Sequence, residues 1–451
     1  QGLMGDLARI QPADTPERLE RLLARIEAYP AWTAAHRQNL AQGVASGRTA
    51  ASAVVERCLT QTQRMVDSSA ETSPIVLVNE GLQDAERARL VAAVERHVQP
   101  ALREWLEMLR DYAAHAREGD GVCHLADGDA IYRHSILSWT TISEDPQAIH
   151  DYGLARLAEI EAAERHIVAE LGFEDVAALR RHLERAPENH VTEPADLVKL
   201  AEELIERAEA EAPRWFGRRP RDTCEVQAVE PHMEQEAPPA FYMTPSADGS
   251  RRGLYFINTY DPASRHLHRL AATTFHEAVP GHHFQLAIEQ ELEGLPAFRR
   301  FGARLAAGSF IEGWALYTEQ LAREMGLYRT PLEDFGALET EAWRAARLVV
   351  DTGIHAFGWT RQQSIDLLIE RAGLSRLEAE TETDRYISWP GQALSYMIGQ
   401  REILSLRDQL EARDGDRFDH QAFHDQVIGH GSLALTVLRE QLPGWVEPRA
   451  E

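Results

Sequence analysis

Cysteine is scarce. Cys58, Cys123 and Cys224 are the only three in 451 residues, and they lie far apart. An odd number at such spacing implies neither a disulfide framework nor a CxxC metal site, and the three read as structural thiols. Long apolar runs are also missing. No stretch approaches the roughly 20 residues that span a bilayer, so no transmembrane helix is expected. The first ten residues, QGLMGDLARI, contain neither a basic region nor an apolar core of the signal-peptide kind. The chain starts at Gln1 rather than Met, as it would after removal of a signal peptide or of a longer N-terminal segment. The compartment therefore stays open: cytoplasmic, or secreted or periplasmic if a signal or lipoprotein segment has been removed. Basic residues are outnumbered, with 47 Lys and Arg against 72 Asp and Glu and a formal net charge of −25. Phosphate binding needs clustered Lys and Arg, so nucleic acid is not an expected partner. No internal repeat and no low-complexity tract is present.

What is there suits a soluble globular protein. Apolar residues make up 44% and charged residues 26%, enough to bury a sizeable core. Most of the chain has helical periodicity. TPERLERLLARIEA (15–28) opens with a helix-start signal and spaces its leucines for one face. Further helices are expected near 31–46 and 50–67, then over 82–115 with a kink or break at Pro100. Residues 118–131, rich in Gly and Asp, read as loop, and helices resume near 146–171, 174–186 and 193–212. The segment 213–262 differs. AFYMT and GLYFINTY flank the polar PSADGSRR, which predicts a β hairpin over about 238–262. Helices then continue from 264 to about 441. The expected fold is mainly α: a large helical body with a small β hairpin beside a pair of helices bearing the candidate site. The expected partition is a helical N-terminal part, 1–212, and a metal-binding catalytic part, 213–451.

The chemistry concentrates in HEAVPGHH (276–283). A His offers neutral imidazole nitrogen to zinc, and a Glu beside it points elsewhere and can take a proton from water. In HExxH the second His follows one turn later on the same face. Here that position is Pro280, and the next histidines are His282 and His283. On an unbroken helix a six-residue step rises about 9 Å, too far for two imidazoles to share an ion comfortably. Val279-Pro280-Gly281 is not plain helix, however. A bulge there returns His282 to His276, with His283 as the alternative ligand. A third ligand, Glu312, sits in the apolar string GSFIEGWALYTEQL, where an unpaired carboxylate is costly. His276, His282 and Glu312 with a water make an open catalytic zinc site.

NTYDP (258–262), FHEAVPGHHFQ (275–285), IEGWALY (311–317), RLVVDTGIHAFGW (347–359) and WPGQALSYMIGQ (389–400) together resemble the bacterial DUF885 family, regarded as related to gluzincin zinc metallopeptidases. EGWA also resembles the EGFA string that carries the glutamate ligand of gluzincin aminopeptidases. The resemblance covers most of the chain and is strongest over 238–411. It implies a mainly helical fold, Zn2+ and peptide-bond hydrolysis, and it gives ligand roles to His276, His282 and Glu312 and the base role to Glu277. It also implies a chain short at its N-terminus, whose relatives are often secreted or lipoproteins.

Other residues support the site. Arg347, Asp351 and His355 recur every four residues on one face of a helix over 338–358. The stripe forms a salt-bridge ladder or lines a site, with His355 as an oxyanion donor and Asp351 orienting a metal ligand. After Pro390-Gly391, Gln392 and Tyr396 share a face. The gluzincin resemblance implies that Tyr396 stabilises the tetrahedral intermediate. Arg347 and Gln392 are the substrate-binding candidates. The GLYFINTY strand is a candidate for pairing with an extended peptide. The expected function is cleavage of short peptides by zinc-activated water with Glu277 as general base. The alternatives are an amidase or hydrolase of a non-peptide metabolite, and a helical binding protein with a degenerate metal site.

Overall fold

Helix starts announced by the sequence are capped as expected. In this computed structural model, which describes residues 13–79, 81–230, 234, 237–246, 249, 251–302 and 307–447, Thr15 accepts from the Arg18 amide at the head of α1 (Pro16–Ala45). Contacts divide the chain into two compact units, residues 1–126 and 127–451.

In the first unit α1 is followed by α2 (Ser52–Asp67) and α3 (Asp84–Ala93), which runs through a π turn (Val94–Val98) into α4 (Gln99–Ala113). Leu19, Leu22 and Ile26 of α1 bury against Leu90, Val94 and Val98. Two expectations shift here. The helices expected at 15–28 and 31–46 are one helix running through Pro30, which removes a single ladder bond from a thirty-residue element. The kink or break expected at Pro100 is a π turn just before it, which accommodates the missing amide without ending the helix.

The second unit holds α5 (Gly128–Thr140), α6 (Pro146–Glu170), the strands β1 (Glu225–Ala228), β2 (Ala240–Met243) and β3 (Leu254–Ile257), α7 (Leu270–Glu277) and α8 (His282–Glu291). After these come α9 (Gly308–Glu324), α10 (Pro331–His355), α11 (Arg376–Ser388) and α12 (Ser395–Asp414). The chain is 71% helical with one three-stranded sheet, so the fold is mainly α. α10 is its axis: nearly every residue from Phe335 to His355 is buried, so neighbours surround it on all sides. α5 and α6, grouped with the N-terminal part in the sequence reading, belong to this unit. Gly153 of α6 lets the two backbones close up, since a Cβ there would lie 2.8 Å from Leu348 Cβ of α10. Most of α5 was unforeseen, because Gly128 and Asp129 read as the end of a loop.

The hairpin forms: β2 and β3 pair antiparallel with Ala240 opposite Ile257. β1 adds to the other edge of β3 in parallel, Glu225 opposite Leu254. The order β1-β3-β2 leaves β3 in the middle with both edges used. The expectation that the GLYFINTY strand pairs with a peptide is thereby overturned, since its amides and carbonyls already serve β1 and β2. Among the described residues, no helix is long and apolar enough to cross a membrane.

Candidate metal centre

α7 stops at Glu277, where Ala278 leaves helical geometry (φ −108°, ψ −101°). The Val279–Pro280 peptide is cis, and Gly281 precedes the first residue of α8, His282. The chain doubles back so tightly that a Cβ on Gly281 would lie 1.9 Å from the His276 carbonyl oxygen; only glycine fits. Trp314 of α9 fixes the turn by donating its indole N–H to the Pro280 carbonyl at 3.0 Å. The interruption thus replaces the missing helical turn. The His276 and His282 rings stand 4.8 Å apart and nearly perpendicular.

α9 delivers the third donor. Glu312 Oε2 lies 3.4 Å from His282 Nε2 and 3.7 Å from His276 Nε2. Two donors about 2.0–2.1 Å from one ion at the tetrahedral angle would be about 3.3–3.4 Å apart, so this set fits an ion with little adjustment. Half-buried Glu277 joins them: ligand atoms of His276, Glu277 and His282 all lie within 4.8 Å of one another. Next to Glu312, α9 and α12 touch backbone to backbone. A Cβ on Gly399 would meet the Ser309 carbonyl at 1.9 Å, and one on Gly313 the Gly399 Cα at 2.4 Å.

Behind His276 stands a carboxylate that the sequence reading missed. His276 Nδ1 donates to Glu319 Oε1 at 2.7 Å, and Thr340 Oγ1 donates to the other Glu319 oxygen at 2.7 Å. Arg344 approaches Glu319 at 3.7 Å. This arrangement fixes the tautomer and turns Nε2 toward Glu312. Burial opposes charge on His276, yet Glu312 and Glu319 outweigh it and raise the imidazole to about 9. Burial likewise opposes charge on Glu312, but His276 and His282 hold its carboxyl well below the usual range. A usable signal existed for Glu319: it follows Glu312 by seven residues, two turns along the same face.

His283, the alternative ligand, is committed elsewhere. Its Nε2 donates to the Asp222 carbonyl at 3.0 Å and its Nδ1 accepts from Tyr242 Oη at 3.0 Å. One nitrogen ties α8 to β2 and the other ties it to the segment leading into β1. Burial lowers its imidazole to about 4, so it is neutral.

Tyr396 arrives from the first turn of α12, its ring 6.3 Å from that of His276 and nearly parallel. Arg385 of α11 donates to Gln392 Oε1 at 2.8 Å and to Tyr396 Oη at 3.4 Å. Arg347 lies beside the Tyr396 ring face at 4.3 Å, buried, donating to Tyr386 Oη and Glu382.

Asp351 and His355 do not join the cluster. Asp351 accepts from Tyr132 Oη at 2.7 Å and from the Gly391 amide at 3.0 Å, so the second-layer role expected of it falls to Glu319. His355, eight residues or about 12 Å along α10 from Arg347, is fully buried and bonds the Tyr386 carbonyl at 2.9 Å. The stripe does not form a ladder of mutual ion pairs. Its three members each grip the 382–391 stretch, and so seat the turn that presents Gln392 and Tyr396.

The chain resembles a protein of known structure from Colwellia psychrerythraea, provisionally described as a lipoprotein: 30% identity over 97% of this chain and 77% of that one, TM-score 0.92. A protein of unknown function from Shewanella oneidensis, also provisionally described as a lipoprotein, shares the fold at 23% identity, 94% and 78% coverage and a TM-score of 0.69. No curated protein matches the chain. The family model described as a bacterial protein of unknown function, DUF885, matches residues 1–442. With that match running from the helices of the first unit through the His276, His282 and Glu312 cluster, the chain belongs to the DUF885 family.

Proposed function

We propose that the protein is a zinc-dependent hydrolase, and most specifically a metallopeptidase that cleaves short peptides. The observation that carries this reading is the convergence of His276 Nε2, His282 Nε2 and Glu312 Oε2, with the Glu277 carboxylate beside them. Two imidazoles and one carboxylate with a fourth position left for water are the donor set of catalytic rather than structural zinc. When bound, zinc supplies Lewis acidity toward water and a carbonyl oxygen.

The remaining chemistry falls to the chain. Glu277 takes the proton of the attacking water and hands it to the leaving amine. Glu319 holds His276 in the tautomer that presents Nε2. Arg385 donates to the Tyr396 oxygen, which directs the phenol's own proton outward to the developing oxyanion. Arg347, Asp351 and His355 position this group rather than touch substrate. A location outside the cytoplasm belongs to the proposal, on the strength of the lipoprotein description borne by the Colwellia relative.

Cleavage of a mixed peptide library by the zinc-loaded protein tests the reading. Cleavage should stop with chelator and return with zinc, and Glu277→Gln should keep the metal while losing about 100- to 10,000-fold in kcat. Full activity in a zinc-loaded Glu277→Gln variant would refute the base assignment.

A further inference from the structure

The charges beside Tyr396 do not balance. Two guanidiniums, Arg347 and Arg385, share one carboxylate, Glu382, and Arg344, one turn before Arg347, has Glu319 at 3.7 Å. Glu319 is already committed to His276 and Thr340. Glu382 alone serves both Arg347, at 3.1 Å, and Arg385, at 3.5 Å, and also accepts from Tyr386 Oη at 2.8 Å. The remaining neighbours, Trp343, Tyr386, Gln392 and Tyr396, are uncharged polar or aromatic groups. Arg347 Nη1 is buried with no hydrogen-bond partner among the described residues. An uncompensated buried cation is costly, the more so where two like charges crowd together. The excess is out of character for a chain of net charge −25.

Position matters as much as charge. Arg347 is sealed, its side chain 3% exposed, but the Arg385 side chain is 31% exposed and reaches solvent beside Tyr396 and Gln392. This guanidinium donates to the hydroxyl of Tyr396, whose ring is 6.3 Å from that of His276.

We propose that Arg385, backed by the excess charge of Arg347, binds a carboxylate of the substrate near the bond cleaved. This deepens the peptidase reading and rests on it. Two sources supply such a group: the free C-terminus of the peptide, or an Asp or Glu side chain near the bond. A guanidinium suits either, because its planar fork matches a carboxylate bidentately.

The test uses the zinc-loaded protein and matched peptides: one with a free C-terminal acid, its carboxamide twin, and a carboxamide carrying an Asp beside the cleaved bond. Wild type should favour one carboxylate-bearing peptide over the plain carboxamide by about 10- to 100-fold in kcat/KM, and which one identifies the source. Arg385→Gln should erase that preference through KM, on top of any kcat loss that all three peptides share because Tyr396 loses its donor, and Arg385→Lys should restore part of the preference. Equal cleavage of all three by wild type overturns the proposal, as does an Arg385→Gln loss common to all three that leaves the preference intact, which marks a structural role. A binding arm separates this failure from failure of the peptidase reading. Calorimetry with a non-cleavable D-residue peptide, as acid, as carboxamide and as Asp-bearing carboxamide, reads the site without turnover. Tighter binding of a carboxylate-bearing form that depends on Arg385 keeps the carboxylate site even if no peptide is cleaved. Equal binding of all three forms rejects it whatever the activity.

Discussion

His276 and Glu319 form a buried pair, Nδ1 to Oε1 at 2.7 Å, that sets which face of the imidazole looks toward Glu312 and His282. Removing that partner leaves the ring free to rotate and its Nδ1–H unsatisfied. Glu319→Ala should weaken zinc binding by about 10- to 100-fold, as removal of a carboxylate behind a ligating histidine generally does. Glu319→Gln retains an acceptor and should lose less. Competition against a chromophoric chelator measures both, and an unchanged affinity in Glu319→Ala would remove Glu319 from the site.

The α9–α12 crossing depends on two glycines. Gly399→Ala puts a methyl group 1.9 Å from the Ser309 carbonyl, so the helices must separate. Overpacking of this kind costs about 1–3 kcal/mol, and here it also shifts Glu312, the neighbour of Gly313, relative to the histidines. The variant should show a lowered Tm together with weakened metal binding. Gly444→Ala, where a Cβ meets nothing within 4 Å, is the control that should leave both alone.

Burial raises the Asp351 carboxyl from its ordinary 3.8 to about 7, against the opposing hydrogen bonds from Tyr132 and Gly391. Between those values the folded protein binds more protons here than the unfolded chain does. This group's contribution to stability is therefore greatest below pH 4 and declines as pH rises toward 7. Asp351→Asn keeps the shape without the charge. The variant's Tm relative to wild type should climb from pH 4.5 to pH 7 and level off above it. A difference in Tm that stays flat across that range would contradict the assignment.

The sequence was most readable where chemistry is local. HEAVPGHH lies within eight residues, and Pro280-Gly281 announced an irregular turn, so the approach of His282 to His276 followed from adjacent residues alone. Glu312 stood out as a carboxylate in an apolar string. Glu319 was less plain: its place two turns beyond Glu312 on the same face hinted at burial, but the α10 residues that pack over it lie beyond any local pattern. Arg385 was invisible for a similar reason: RLEAETETDRYIS is a polar stretch whose inward face is set by α10 and the Gly391 turn. Arg347, Asp351 and His355 were rightly placed on one face, but spacing does not name the partner, and the partner proved to be the 382–391 stretch. β1 pairs with β3 across 29 residues of sequence, and no local pattern specifies a parallel neighbour at that distance.

Zinc stoichiometry in wild type and two single-histidine variants tests the central claim most directly. The account predicts about one tightly held zinc per chain in wild type, none in His282→Ala, and a full complement in His283→Gln, whose ring serves the sheet instead. Wild-type protein that takes up no zinc, or His282→Ala that holds it as tightly as wild type, would contradict it.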